Sequence, residues 1–520
     1  MKKLYTTLLM VVFGITATAQ TIVYVNDDAT GNNNGTSWAD AYTDLNDALV
    51  NTISIGSEIW IAEGFYTRTS KNESFDVSND FLLYGGFAGT ETNIDQRDIA
   101  NHPTIISGDV GWNDTGAPSS SNSSMFYNSS HVFRIYSNNR ALFDGLIIER
   151  AFSTTESGGG INVISSSLEN LQISNCIIRE NVAKNRAGVL YSSNANASGF
   201  YMFNNRIEDN VNTDGTTSYT IEFRASNPNW MYADVHFVNN LFKNNSSESP
   251  FQIGTIARFA TEGSSGIDLF LTNNTFVDNP QTGYNVDNVA SLIVYEHISG
   301  AGNLNAFLNN NIFYNNTGVT DIFGESMQGS SLTGQLNVAN TSSNQNVQDF
   351  LDNFTLLNTH VITTSPFVNY ANGDYTPIAA YQTIGDTTYY DGQYLNNSYY
   401  GQDYPTTDLA GNPRFDSQGN IDIGAYQAIG SVSISDIEKN NNINYYPNPF
   451  NNIVMFSLND FYKKINITVR DITGKVVLEK IENLTNSQFS LDLSDHSAGV
   501  YFVQIGSEKS LIETIKLIKE

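Results

Sequence analysis

The chain has 520 residues, a formal net charge of −28 and a single cysteine. Such a charge repels nucleic acid and anionic lipid, which removes both from the partners to be considered. One cysteine excludes an intramolecular disulfide, so the fold must be held by its core.

At the N-terminus, Lys2 and Lys3 precede an apolar run from Leu8 to Ile15 and then Ala17-Thr18-Ala19. This is the pattern of a secretory signal peptide over residues 1–19, cut after Ala19. The run is too short for a membrane span, and no later one is long enough. The excess acid sits on residues 21–430, with 42 acidic against 14 basic residues, whereas residues 431–520 carry 11 against 9. Residues 37–51 read SWADAYTDLNDALVN and put Trp38, Tyr42, Leu45 and Leu49 on one helical face, with Ser37 as cap. Such a helix would cover the open end of whatever follows. Asp27 and Asp28 form an acidic turn before it. Calcium there is left open, and no metal or other cofactor is assigned.

Between residues 144 and 316 a seven-residue phrase returns six times: DGLIIER from Asp144, NCIIREN from Asn175, NNRIEDN from Asn204, NNLFKNN from Asn239, NNTFVDN from Asn273 and NNIFYNN from Asn310. A period near 30 to 37 residues signals stacked supersecondary units that bury their apolar sides against one another. An alternating stretch precedes each phrase and ends on Leu142, Ile173, Met202, Phe237, Leu271 or Leu308, which predicts a strand. The paired Asn suits a tight turn. Past it, Ile147, Ile178, Ile207, Phe242, Phe276 and Phe313 are expected to point inward from a second strand. A third strand is expected near Gly158, Ala187, Tyr219, Gly254 and Ser291, giving a triangular coil. With coils about 4.8 Å apart, Asn205, Asn240, Asn274 and Asn311 form a column whose amides bond up the stack. Cys176 takes that place in the first full repeat, as a small buried thiol.

An asparagine ladder of this kind resembles the parallel β-helix proteins that include pectate lyases and polygalacturonases, the pectin-lyase-like group. The resemblance, with the general preference for right-handed crossovers, implies an all-β, right-handed parallel β-helix over residues 20–430. NDDATGNNNGTSWADAYTDLNDAL, EIWIAEGFYT and LYGGFAGTE, and the closing stretches from Gly373 and Asp408, resemble secreted bacterial β-helix proteins. In the closing motif Gln427 stands where relatives place a glutamate, so Arg414 is expected to pair with Asp422.

Residues 431–443 read as a polar linker. Beyond them short alternating runs predict a small β-sandwich over residues 444–520. Tyr446, Pro447, Asn448 and Pro449, then Asp471, Gly474, Lys475 and Val476, then Gly499, Val500 and Tyr501 resemble the C-terminal sorting domain of the type IX secretion system of Bacteroidetes. That implies the secretion machinery as partner, and a secreted protein at the outer-membrane surface or outside the cell.

Two sets of side chains are candidates for chemistry on the solenoid. On the third strand, Glu222, Arg224, Arg258, Tyr295, Glu296 and His297 lie in three successive coils and could converge, with His297 as base, for a polysaccharide lyase or glycoside hydrolase. They could equally form a salt-bridged ladder. On the first strand the outward column Gln172, Tyr201, His236, Phe270 and Phe307 offers rings for a sugar, with Arg206 and Lys243 nearby, unless a loop covers it. Binding or scaffolding on a glycan or surface polymer is the preferred expectation, and polysaccharide cleavage the alternative.

Overall fold

In the computed structural model the chain is described over residues 22–428 and 443–520, less short stretches of which the longest are 284–290, 327–335, 344–353 and 391–403. The expected signal peptide, and all but the last residue of the expected linker, lie outside the described residues. The chain divides into two compact units, Met1–Ile429 and Gly430–Glu520.

The first unit is a parallel β-solenoid. Sheet 1 has eleven strands from Ile22–Val25 to Phe354–Leu357, sheet 2 has ten from Gly64–Thr67 to His360–Val361, and sheet 3 has eight from Phe75–Val77 to Thr320–Ser326. A fourth, five-stranded sheet runs from Phe152–Ser153 to Gln281–Gly283. This extra strand per coil, Val211–Thr213 for example, is too short to show alternation in the sequence.

Stacking of like on like sets the register. Phe242 pairs with Phe276 and Phe276 with Phe313. Their rings stack at 4.6 and 4.8 Å in the core. Each ladder asparagine donates to a backbone carbonyl and to the next asparagine: Asn205 to Asn240 at 2.9 Å, Asn240 to Asn274 and Asn274 to Asn311 at 3.0 Å. Cys176 caps this ladder as a buried thiol, its amide donating to Asn205 Oδ1, and burial pushes the thiol up to about 12. A second ladder, absent from the sequence reading, joins Asn181, Asn210, Asn245, Asn279 and Asn316 at the next turn. Beside the first ladder, Asn175, Asn204, Asn239, Asn273 and Asn310 hold φ between 52° and 58°, the left-handed region that asparagine tolerates best among side-chain-bearing residues.

Three expectations are corrected. In the first phrase Gly145, at φ 75°, makes the turn that Asn175 makes in the next coil, which shifts the phrase by one residue. Ile148 therefore pairs with Ile178 and Phe143 with Ile173, and Ile147 and Leu142 face outward. The helix spans only Leu45–Asn51, capped by Asp44, whose carboxylate accepts from Asn46 N. Ser37 and Asp40 instead close a local turn, and Trp38 leaves the helical face to pack against Phe87 and Trp60. Arg414 does not pair with the Asp422 carboxylate. Fully buried, it donates to the carbonyls of Asp422 and Gly424, while that carboxylate accepts from Thr383 N and Ala428 N.

The closing segment does more than end the stack. It lies along the turn between sheets 1 and 2. Asn310 exchanges two hydrogen bonds with Asp386, Asn273 donates to the carbonyls of Asp422 and Gly424, and Asn239 donates to Thr407 O. Gly424 sits so close that an added Cβ would meet Ile312 Cδ1 at 2.7 Å, and its φ of 82° also demands glycine.

The second unit is antiparallel. Strands Ile443–Tyr446, Ile453–Leu458 and Gln488–Asp492 form one sheet, and Lys464–Asp471, Val476–Asn483, Gly499–Gly506 and Leu511–Lys519 the other. Alternate residues of both, among them Val454, Phe456, Leu491, Ile467, Val469, Val503 and Ile505, share one core. The motif residues have local tasks here. Asn448, between Pro447 and Pro449, donates to Lys516 O and accepts from Ile518 N, occupying the edge of the last strand. Tyr501 donates to Ser497 O, and Lys475 N donates to Asp471; Gly474 lies outside the described residues.

Candidate functional site

Register distributes the third-strand candidates over different columns. Register places Glu222 beside Arg258 and Val294, whereas Tyr295 falls in the column of Phe259, and His297 in that of Thr261. Phe259 and Thr261 are fully buried, and Phe259 is part of the core. Neighbouring columns alternate faces of a strand, so Glu222, Arg224 and Arg258 occupy outward columns, apart from those of Phe259 and Thr261. Arg258 and His297 thus fall in different columns of the register. Glu222, with no exposed area, is ion-paired to Arg258 one coil on, whose guanidinium lies 5.1 Å over the Tyr219 ring. Arg224 pairs with Glu262. These charges are one another's partners, an arrangement that keeps a buried charge compensated and leaves little for a substrate.

The first-strand column has the expected order and a different surface. Gln172, Tyr201, His236, Phe270 and Phe307 pair in register. The His236 imidazole stacks 5.5 Å from Tyr201 and 4.5 Å from Phe270, and Phe270 stacks 4.9 Å from Phe307. Gln172, Tyr201, His236 and Phe270 are nevertheless buried, and Phe307 is partly buried. The closing segment supplies the cover: His236 Nδ1 is 2.7 Å from the Tyr404 hydroxyl, and the Tyr390 hydroxyl accepts from Asn239. Burial lowers the imidazole to about 3, so it stays neutral. The rings of Tyr201, His236 and Phe270 are thus stacked on one another and buried under the cover.

What the cover leaves open is a tyrosine surface over sheet 2. Tyr314, Tyr370, Tyr381 and Tyr426 are half-buried around the buried group Leu241, Ile312, Phe367, Tyr375 and Ile423. Lys243 reaches over the Tyr375 ring at 6.0 Å. Sequence reasoning found Lys243 and missed these rings, because only Tyr314 belongs to the repeat and the others arrive from the closing segment. Arg206 is more exposed, and its Nη2 donates to both carboxylate oxygens of Glu208, at 3.0 and 3.2 Å. It lines a cleft of about 520 Å³ between the Ile99–Pro103 loop and Thr407–Gly411, with Ile147, Ile177 and Asn204 in its walls.

One carboxylate pair also escaped the sequence reading. Asp234 and Asp268 are register partners on sheet 1, both half-buried. Burial first, and then the Asp268 charge, raises Asp234 to about 6. Among the described residues no cluster of three or more His, Cys, Asp or Glu side chains is placed to hold a metal ion. Asp27 instead accepts from Phe65 N, with Asp28 beside it.

Comparison with known families identifies the tail alone. Residues 444–520 match the family described as the secretion system C-terminal sorting domain. The tail thus marks the chain for export by the type IX system, to the cell surface or the medium. No curated protein matches the chain. No described helix is long and apolar enough to cross a membrane.

Proposed function

We propose that the exported solenoid binds, as an adhesive or scaffolding element, a glycan or other surface polymer along the tyrosine face over sheet 2. The observation that carries this reading is the set of half-buried rings Tyr314, Tyr370, Tyr381 and Tyr426 beside Lys243. Half-exposed flat rings accept the apolar face of a sugar, and the ammonium supplies a polar contact. The acidic surface favours a neutral polymer over a polyanionic one. Titrating the exported chain with a panel of neutral and acidic glycans tests it. Binding to a neutral polymer that weakens about fivefold or more on Tyr426→Ala supports the reading, in line with the usual energy of one stacking contact. A panel without any binder overturns it.

A second reading, polysaccharide cleavage, has one observation in its favour. Asp234 and Asp268 stand in adjacent coils, where strand spacing is about 4.8 Å, close to the carboxyl separation of about 5 Å used by retaining glycosidases. Asp234, held protonated up to about 6, would be the acid and Asp268 the nucleophile. Turnover lost in Asp234→Asn would favour this reading, and absence of products from every polymer would remove it.

A further inference from the structure

The left-handed asparagines between sheets 1 and 2 are docking points, and at Asn204 no hydrogen bond to the closing segment is made among the described residues. Asn239, Asn273 and Asn310 each bind peptide groups of the closing segment, and Asn310 does so at both ends of its amide, accepting from Asp386 N at 2.7 Å and donating to Asp386 O at 2.9 Å. Asn175 donates to the Asp144 carboxylate at 3.0 Å. Asn204 stands between Asn175 and Asn239 in the same column, at the same backbone angle, and its buried Oδ1, like that of Asn239, has no hydrogen-bond partner among the described residues. A buried acceptor left unpaired costs about 1–3 kcal/mol, so the position is made for something that brings a donor. Asn204 opens onto the cleft beside Arg206, whose aliphatic walls include Ile99, Ile147, Ile177 and Leu409.

We propose that this cleft is a docking site for an extended peptide segment of a partner protein, which engages Asn204 as separate stretches of the closing segment engage Asn310, Asn239 and Asn273. The partner's backbone N–H and C=O pair with the Asn204 amide as Asp386 pairs with Asn310. An aliphatic side chain rests on Ile147 and Ile177. The walls are aliphatic rather than aromatic, which favours a peptide over a sugar ring. The cleft borders the tyrosine face at Leu409, but its test reads Asn204 and a peptide rather than Tyr426 and a glycan, so the two readings fail separately.

The test uses the full chain and an acetylated, amidated peptide with the sequence of residues 383–390, the stretch that includes Asp386. Asn204→Gly removes the amide, keeps the left-handed turn and takes away no existing hydrogen bond, so the melting temperature should hold. Saturable binding of the peptide to the wild type, weakened about fivefold or more by Asn204→Gly and blocked by Ile177→Lys, is the expected result. No binding, or equal binding to wild type and Asn204→Gly, overturns the proposal. So does a neutral oligosaccharide whose binding depends on Asn204 while the peptide's does not.

Discussion

The two units bury polar groups very differently. The solenoid encloses two asparagine ladders and the Glu222–Arg258 pair, whereas no described polar or charged side chain of the sorting tail is buried. The tail follows the simple rule of an antiparallel sandwich, apolar in and polar out, and its stability spreads over Val454, Phe456, Ile467, Val503 and their neighbours. The solenoid instead stakes its register on polar columns in which each member satisfies the next. A change in such a column leaves several groups unpaired together, while a change at the surface of the tail costs little.

That contrast can be broken at four points. Deleting residues 444–520 should abolish surface delivery in a type IX host while the solenoid still unfolds as a single cooperative unit in vitro; surface display of the truncated chain would contradict the division of labour. Asn274→Ala strands the Asn240 amide and the Phe237 carbonyl. It should lower solenoid stability by on the order of 3 kcal/mol or more, with the tail's own denaturant transition unmoved. A smaller effect is pH dependence. His236 is neutral when folded and free to charge when unfolded, so its contribution is present above about 6.5 and is lost as pH falls toward about 3. Asp234 runs the other way: its pKa is raised in the fold, so its contribution is present below its ordinary value near 3.8 and is lost as pH rises through about 6. His236→Phe should flatten the acid limb of a stability–pH curve, and Asp234→Asn should steepen it. Smallest of all, Asn448→Ala should cost the tail about 1 kcal/mol, read as a shift of its midpoint alone.

The repeat was legible because parallel stacking writes the same residue type at the same place in every coil. The phrase from Asn204 to Asn310 therefore announced the Phe242 column and the first ladder. Where a different residue did the same work the reading slipped, as with Gly145, which makes the turn for which Asp144 was read. The candidate site was less legible for a physical reason. Alternation within a strand tells which side chains leave the coil, but not what lands on them from more than a hundred residues away. Tyr390 and Tyr404 cover His236 across such a distance, and the tyrosine face is built mostly from the same closing segment. The sequence placed Arg258 in a converging site or a salt-bridged ladder without telling how deeply its partner is buried. With Glu222 fully buried beneath it, Arg258→Ala should cost about 3–5 kcal/mol by leaving that carboxylate alone.

The left-handed asparagine and its ladder neighbour recur once per coil, so the junction between Asn239 and Asn240 is chemically the junction between Asn273 and Asn274. Excising residues 240–273 would splice Asn239 to Asn274 with the columns still in step, since the two ladder positions are 34 residues apart. Removing a few residues fewer from the strands would throw every ladder above the cut out of phase. The length of this protein is therefore quantised: it can grow or shrink by whole coils, and the span it presents outside the cell changes in steps of about 4.8 Å.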